Sequence, residues 1–163
     1  MIPYLLTYLF IFFKAIQKHQ KFNKFEFIST SFFFIFFIGL KTDITPDWDN
    51  YKSYADQALS LNFSELIFYH SELGYNFSLW LSSITKTGIY GVNVICATIF
   101  SLGLLSFCAK QKYPWLSLAI SYPYLIVAVG FGFTRQSAAI GFVFFAISAY
   151  EEHKLKRFLL FTT

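Results

Sequence analysis

The chain has 163 residues, of which 56% are hydrophobic, 23% aromatic and only 13% charged. A soluble domain carries about twice that share of charge, and twenty-three phenylalanines are more than one soluble core of this length hides, so lipid is their natural solvent. The net charge of +4 comes from short basic clusters set between apolar runs, a pattern that excludes a basic nucleic-acid groove, and the long runs lack the period-two alternation of a β-barrel.

Taken in order, Ile2 to Phe13 is a first apolar run, short for a hydrocarbon core of about 30 Å. A lysine-rich turn follows (Lys14, Lys18, Lys21, Lys24), then a span over 25–40. Residues 41–87 hold six of the nine acids. Within them Pro46-Asp47 reads as a helix start, with Asp47 as N-cap and Asp49 in the first turn. Trp48, Tyr51, Ala55, Ala58 and Leu59 then recur at helical spacing, which predicts an amphipathic helix on the membrane surface. A second helix is expected from Ser71, with Leu73, Phe77, Trp80, Leu81 and Ile84 on one face and Ser78, Ser82 and Ser83 opposite. Full spans follow at 89–109, at 114–131 with a kink at Pro123, and at 137–150. Ser137 and Gly141 form a small-xxx-small pair that lets a neighbouring helix come close. KRFLLFTT reads as a further span beginning at 158, so the chain is expected to be truncated. The opening residues lack a basic n-region and a small-residue cleavage site, so no cleavable signal is expected there. Cys96 and Cys108 lie in one apolar run without a CxxC and read as small buried hydrophobes. The expected fold is all-α: one polytopic transmembrane helical bundle over 1–163, with amphipathic interfacial helices on the extracytoplasmic side.

Placing the clusters around Lys14–Lys24, Lys110–Lys112 and Lys154–Arg157 in the cytoplasm puts nine of the thirteen basic residues inside and six of the nine acids outside. That orientation requires the helix after Ser71 to stay on the outer side. DWDNY, HSELGY and FTRQ then share the outer face, although they are far apart in sequence.

Arg135 opens a span on the face where basic residues are disfavoured. It reads either as a snorkelling anchor or as a phosphate clamp, its planar fork matched to phosphate oxygens and helped by a helix N-terminus and by Gln136. Asp47 and Asp49 read either as cap and first-turn anion or as a general base and its helper; two residues apart, they point roughly 200° from one another on a helix. Trp48, Tyr51 and Tyr54 suit sugar stacking or simple interfacial anchoring. Glu72, Tyr75 and His70 make a further cluster. No divalent-metal spacing, P-loop or dinucleotide fingerprint is present, so neither metal nor cofactor is expected.

Asp47 to Tyr51, then Glu72-Leu73-Gly74-Tyr75, then Arg135-Gln136 leading into Ser137-Ala138-Ala139 resemble, in order and spacing, the EpsG family of bacterial exopolysaccharide polymerases, related to Wzy-type O-antigen and capsule polymerases. Leu73 stands where the family pattern has proline. The resemblance implies an integral protein of the bacterial cytoplasmic membrane acting on undecaprenyl-pyrophosphate-linked oligosaccharides at the outer leaflet. It also implies glycosyl transfer between lipid carriers, beside flippase and chain-length regulator proteins. On that reading Arg135, Asp47 and Asp49 are catalytic, and Arg135, Gln136, Trp48, Tyr51, Glu72 and Tyr75 bind substrate. The alternatives are a glycolipid transporter or flippase fragment, and a non-catalytic component of a polysaccharide-synthesis complex.

Overall fold

The computed structural model describes residues 2–17, 21–43, 47–67 and 73–162. Every regular element among them is helical: α1 (Ile2–Ile16), α2 (Lys24–Gly39), α3 (Trp48–Ala58), α4 (Phe63–Ile67), α5 (Leu73–Thr85), α6 (Gly88–Lys110), α7 (Pro114–Ser121) continuing as a π-helical segment (Tyr122–Gly130), α8 (Thr134–Glu151) and α9 (Leu155–Thr162).

The boundaries follow local chemistry. Asn23 and Glu26 form a reciprocal capping box at the start of α2: the Asn23 side chain accepts from the Glu26 amide at 2.7 Å, and the Asn23 amide donates back to the Glu26 carboxylate at 3.1 Å. Pro114 opens α7 at a position where its missing N–H costs nothing. At Pro123 the α-helical ladder cannot continue, and the chain widens into the π-helical segment. Asp47 is the residue before α3, as expected, but its side chain makes no capping bond.

The centre of the bundle is α6, which packs on α2, α3, α5, α7 and α8. At the α6–α8 crossing two glycines face each other. A methyl on Gly141 would stand 2.6 Å from the Ile99 carbonyl oxygen, and one on Gly103 would stand 2.9 Å from the Gly141 Cα. Gly39 lets α2 approach Val94 equally closely. The small-residue face expected around Gly141 therefore lies in the closest helix contact of the bundle.

At one end of the bundle Lys14 pairs with Glu26 at 3.0 Å and lies 5.6 Å from the centre of the Trp115 ring, while Lys110 pairs with Glu152 at 2.7 Å. The basic turns that begin α2, α7 and α9 meet there. Towards the other end the start of α1 packs along the π-helical segment: the Tyr122 hydroxyl, at the opening of that segment, donates to the Tyr4 carbonyl at 2.9 Å, and the rings of Tyr4 and of Phe131, just past its close, lie 5.0 Å apart. A run of antiparallel helices joins the two ends.

One helix, α6, is long and apolar enough to cross a membrane by itself; Ile2–Ile16 and Pro114–Gly130 are shorter apolar helices. The bundle leaves large apolar side chains on its outside, among them Phe25, Phe32 and Phe36 on α2, Ile120 and Tyr124 across the α7 junction, and Leu159 and Leu160 on α9. Helix α5 buries Tyr75 and Leu79 against the bundle, with small polar residues beside them. Asn76, Ser78 and Ser82 are buried against the bundle, whereas Leu73, Phe77 and Ile84 face outward. Such an apolar exterior over a small-residue interior belongs to a membrane helical protein.

Candidate functional site

The site stands on α6, near its N-terminal end, where α3, α5 and α8 converge. Helix α3 contributes an amphipathic face: Tyr51, Ala55 and Ala58 are buried and the intervening positions are largely exposed. Tyr75 comes from the buried face of α5. The rings of Tyr51 and Tyr75 lie 6.1 Å apart with a 59° tilt.

Arg135 enters this pair from the first turn of α8. Its guanidinium carbon is 5.6 Å from the centre of the Tyr51 ring and 5.5 Å from that of Tyr75. Both distances fall inside the range of about 6 Å over which a ring quadrupole attracts a cation. The arginine is half-buried and the two tyrosines are buried, so the attraction acts in a partly desolvated setting. Burial also pushes the Tyr75 phenol above its ordinary value, keeping that ring neutral.

Two further contacts hold the start of α8. The Thr134 hydroxyl donates to the Asn93 side-chain oxygen of α6 at 3.2 Å, with both residues buried. Lys41, just beyond α2, is also buried, and its ammonium donates to the carbonyls of Gly130 and Phe131 at 3.1 and 2.9 Å. A cation on the last carbonyls of a helix satisfies acceptors that have no partner within it and complements the dipole. This ties the α2–α3 connection to the turn that presents Arg135. Burial lowers Lys41 to about 8. Its signal in the sequence was a lone lysine immediately after an apolar helix, on the face where lysine is disfavoured.

Below the guanidinium runs a cavity of about 470 Å³ between α5, α6 and α8. Arg135, Ala138, Ala139 and Phe142 line it along one stripe of α8, Cys96 and Ile99 along α6, and Tyr75 and Ser78 along α5. The stripe runs from Arg135 to Phe142 of α8, about 10 Å. The site is thus a cation flanked by two aromatic faces at the head of an apolar cleft, suited to an anionic group carried on a hydrocarbon chain.

Of the other sequence-derived candidates, Trp48 is half-buried and packs edge-on against Tyr90 at 6.2 Å, away from the guanidinium. Asp47 is half-buried one helical turn before Tyr51 and therefore on its side of α3. Asp49 is exposed and turned away by the helical spacing. Gln136 is exposed. Glu72, His70 and the proposed Ser71 cap lie outside the described residues.

Tyr51, Tyr75 and Arg135 each come from one of three separate sequence motifs, and they form one cluster. The sequence model of the EpsG family matches residues 24–163, from the first residue of α2 onward, which is most of the chain. The chain belongs to the EpsG family. Neither a curated protein nor a solved structure matches it. Helix α1 lies outside the matched range, so the family region comprises the α2–α9 bundle and includes every residue of the Arg135 site.

Proposed function

We propose that this chain takes part in the polymerisation of lipid-linked oligosaccharides, as a Wzy-like polymerase at the outer face of a bacterial cytoplasmic membrane. The observation that carries the reading is the Arg135 guanidinium set between Tyr51 and Tyr75 at the head of an apolar cleft. A polyprenyl-pyrophosphate carrier has the matching form, an anionic head on a long hydrocarbon. In this arrangement α1, α2, α6, α7 with its π-helical continuation, and α8 cross the bilayer, while α3, α4 and α5 lie at the outer surface.

In the transfer, an acceptor sugar hydroxyl attacks the anomeric carbon of the donor. A C–O bond forms there as the bond from that carbon to the carrier's phosphate oxygen breaks. The electron pair leaves on the pyrophosphate-lipid, and the acceptor's proton passes to a base. Arg135 binds the leaving phosphate and stabilises the charge that grows on it. Asp47 and Asp49 are the proposed base and its helper, and the position of Asp47 on the Tyr51 side of α3 favours it as the base. Tyr51, Tyr75 and Trp48 supply faces for sugar rings, with Gln136 and Glu72 as polar contacts. Flippase and chain-length regulator proteins are the expected neighbours.

The test uses the full-length protein reconstituted with lipid-linked repeat units, with polymer length read on a gel. Arg135→Ala is expected to slow polymerisation by about 10²–10³, the usual effect of removing one group that stabilises transition-state charge. Unchanged polymer length in a folded Arg135→Ala protein would overturn the proposal. Thiol labelling of single cysteines at positions 49 and 112 checks the sidedness, with only the first expected to react from outside.

A further inference from the structure

A second groove lies at the opposite end of the bundle, between α6, α8, α9 and the start of α2. Its volume is about 520 Å³, and its walls include Phe27, Phe145, Leu160 and Phe161. The rings of Phe145 and Phe161 stack at 5.4 Å, and Phe158 packs on Tyr150 at 5.8 Å, so α9 folds back antiparallel along α8 and forms one wall. Three charged side chains stand at the mouth: Lys110, Glu152 and Arg157.

Their pairing is unequal. Glu152 takes both Lys110 and Lys154, and these two hydrogen-bonded cations hold its carboxylate down to about 2. Lys110 also donates to the Ser148 carbonyl. Arg157 has no carboxylate partner among the described residues. Ser148 lines the groove, is 5% exposed, and its hydroxyl has no partner among the described residues. The two turns that flank the groove carry five basic residues (Lys110, Lys112, Lys154, Lys156, Arg157) against Glu151 and Glu152. The opening is therefore cationic and the interior apolar, with a buried hydroxyl in its wall.

We infer that this groove binds one anionic phospholipid of the inner leaflet, its headgroup phosphate on Arg157 and Lys110 and an acyl chain along Phe145 and Phe161. A guanidinium matches phosphate oxygens in a planar fork, and basic recesses between helices on the cytoplasmic side of a membrane suit anionic headgroups. A neutral lipid would leave the excess charge of the two turns uncompensated. The bound lipid would also brace α9 against α8 and α6. The inference rests on the membrane placement proposed above and not on polymerase chemistry, so it stands or falls separately from the role of Arg135.

The test is native mass spectrometry of the full-length protein released from vesicles of equal phosphatidylglycerol and phosphatidylcholine. One phosphatidylglycerol should be retained in preference. Arg157→Gln should weaken that retention about fivefold, the usual effect of one basic residue at a membrane surface. Lys156→Gln, which removes a neighbouring charge outside the groove, should leave it unchanged. A phosphatidylglycerol bearing a photoreactive group in its tail, used with the unaltered protein, should cross-link to α8 and α9 peptides. Equal retention of the two lipids, equal loss from Lys156→Gln, or cross-links confined to other helices would each overturn the inference. Loss of polymerisation in Arg135→Ala with lipid retention intact separates the two sites.

Discussion

Replacing Tyr51 tests the central contact of the site. Its ring centre lies 5.6 Å from the Arg135 guanidinium carbon, it is 5% exposed, and the arginine is half-buried. A cation over an aromatic face contributes about 0.5–1 kcal/mol in the open and about 2 kcal/mol when desolvated. The partly buried geometry here sits between those limits, at about 1 kcal/mol. Tyr51→Leu also removes ring area and the contact with Tyr75, so the single substitution should cost about 2–3 kcal/mol in all. A double-mutant cycle with Arg135→Gln separates the two contributions. In one detergent, thermal midpoints of the four proteins should show a coupling of about 1 kcal/mol, or about 2–4 °C for a chain of this size. Tyr51→Phe keeps the quadrupole and should retain the coupling. If Tyr51→Leu lowers the midpoint equally with and without Arg135, the guanidinium draws nothing from the ring, and the argument for a preorganised cation fails.

Two further outcomes follow from the packing. A side chain on Gly141 meets backbone atoms of Ile99 and Phe100 at 2.6–2.8 Å, and no rotamer change relieves that, so Gly141→Val should force α6 and α8 apart and cost about 1–3 kcal/mol of thermal stability, whereas Ala139→Val on an exposed position of the same helix should be nearly neutral. Lys41 holds a folded value of about 8 against an ordinary 10.5, so in that pH window the unfolded chain keeps a proton that the folded chain has lost. Stability relative to Lys41→Met should therefore rise as pH climbs from about 8 to 10.5, and a flat difference across that window would refute the assignment.

The helices were legible because apolar runs bounded by lysine, proline and glycine leave little choice of ends. The apolar run at 89–109 forms the helix Gly88–Lys110, and that at 25–40 forms the helix Lys24–Gly39. Pro123 was legible as a fault in its helix, but not the π-helical form, because a proline signals only that the α-helical ladder breaks and not how the chain continues. The site was legible in parts. Charge asymmetry brought the three motifs to one end, and the helical spacing of Tyr51, Ala55 and Ala58 gave the buried face of α3, yet the sequence could not give the pairing of Tyr51 with Tyr75 on either side of Arg135. Lys41 escaped notice because its partners are main-chain carbonyls about ninety residues away, which leave no side-chain signature.

The mixed burial of α5 bears on how such a site can exist at all. In water, exposing Leu73, Phe77 and Ile84 while burying Asn76, Ser78 and Ser82 beside Tyr75 and Leu79 would weaken the hold of α5 on the bundle. Among lipids the cost of that exposure is absent, and the small polar residues allow close approach to α6. The Ser82 hydroxyl donates to the Gly88 carbonyl and stands near the Thr87 hydroxyl, which fixes α5 to the start of α6. That contact sets the height of Tyr75 relative to α8, and with it the distance to the guanidinium. The lipid environment is therefore part of what assembles the aromatic pair around Arg135: transferred to a strongly delipidating detergent, the protein should lose the Tyr51–Arg135 coupling before it loses helix content. Thermal midpoints of the four cycle proteins, followed alongside far-ultraviolet circular dichroism during stepwise lipid removal, would show that order, and simultaneous loss of coupling and helix would refute it.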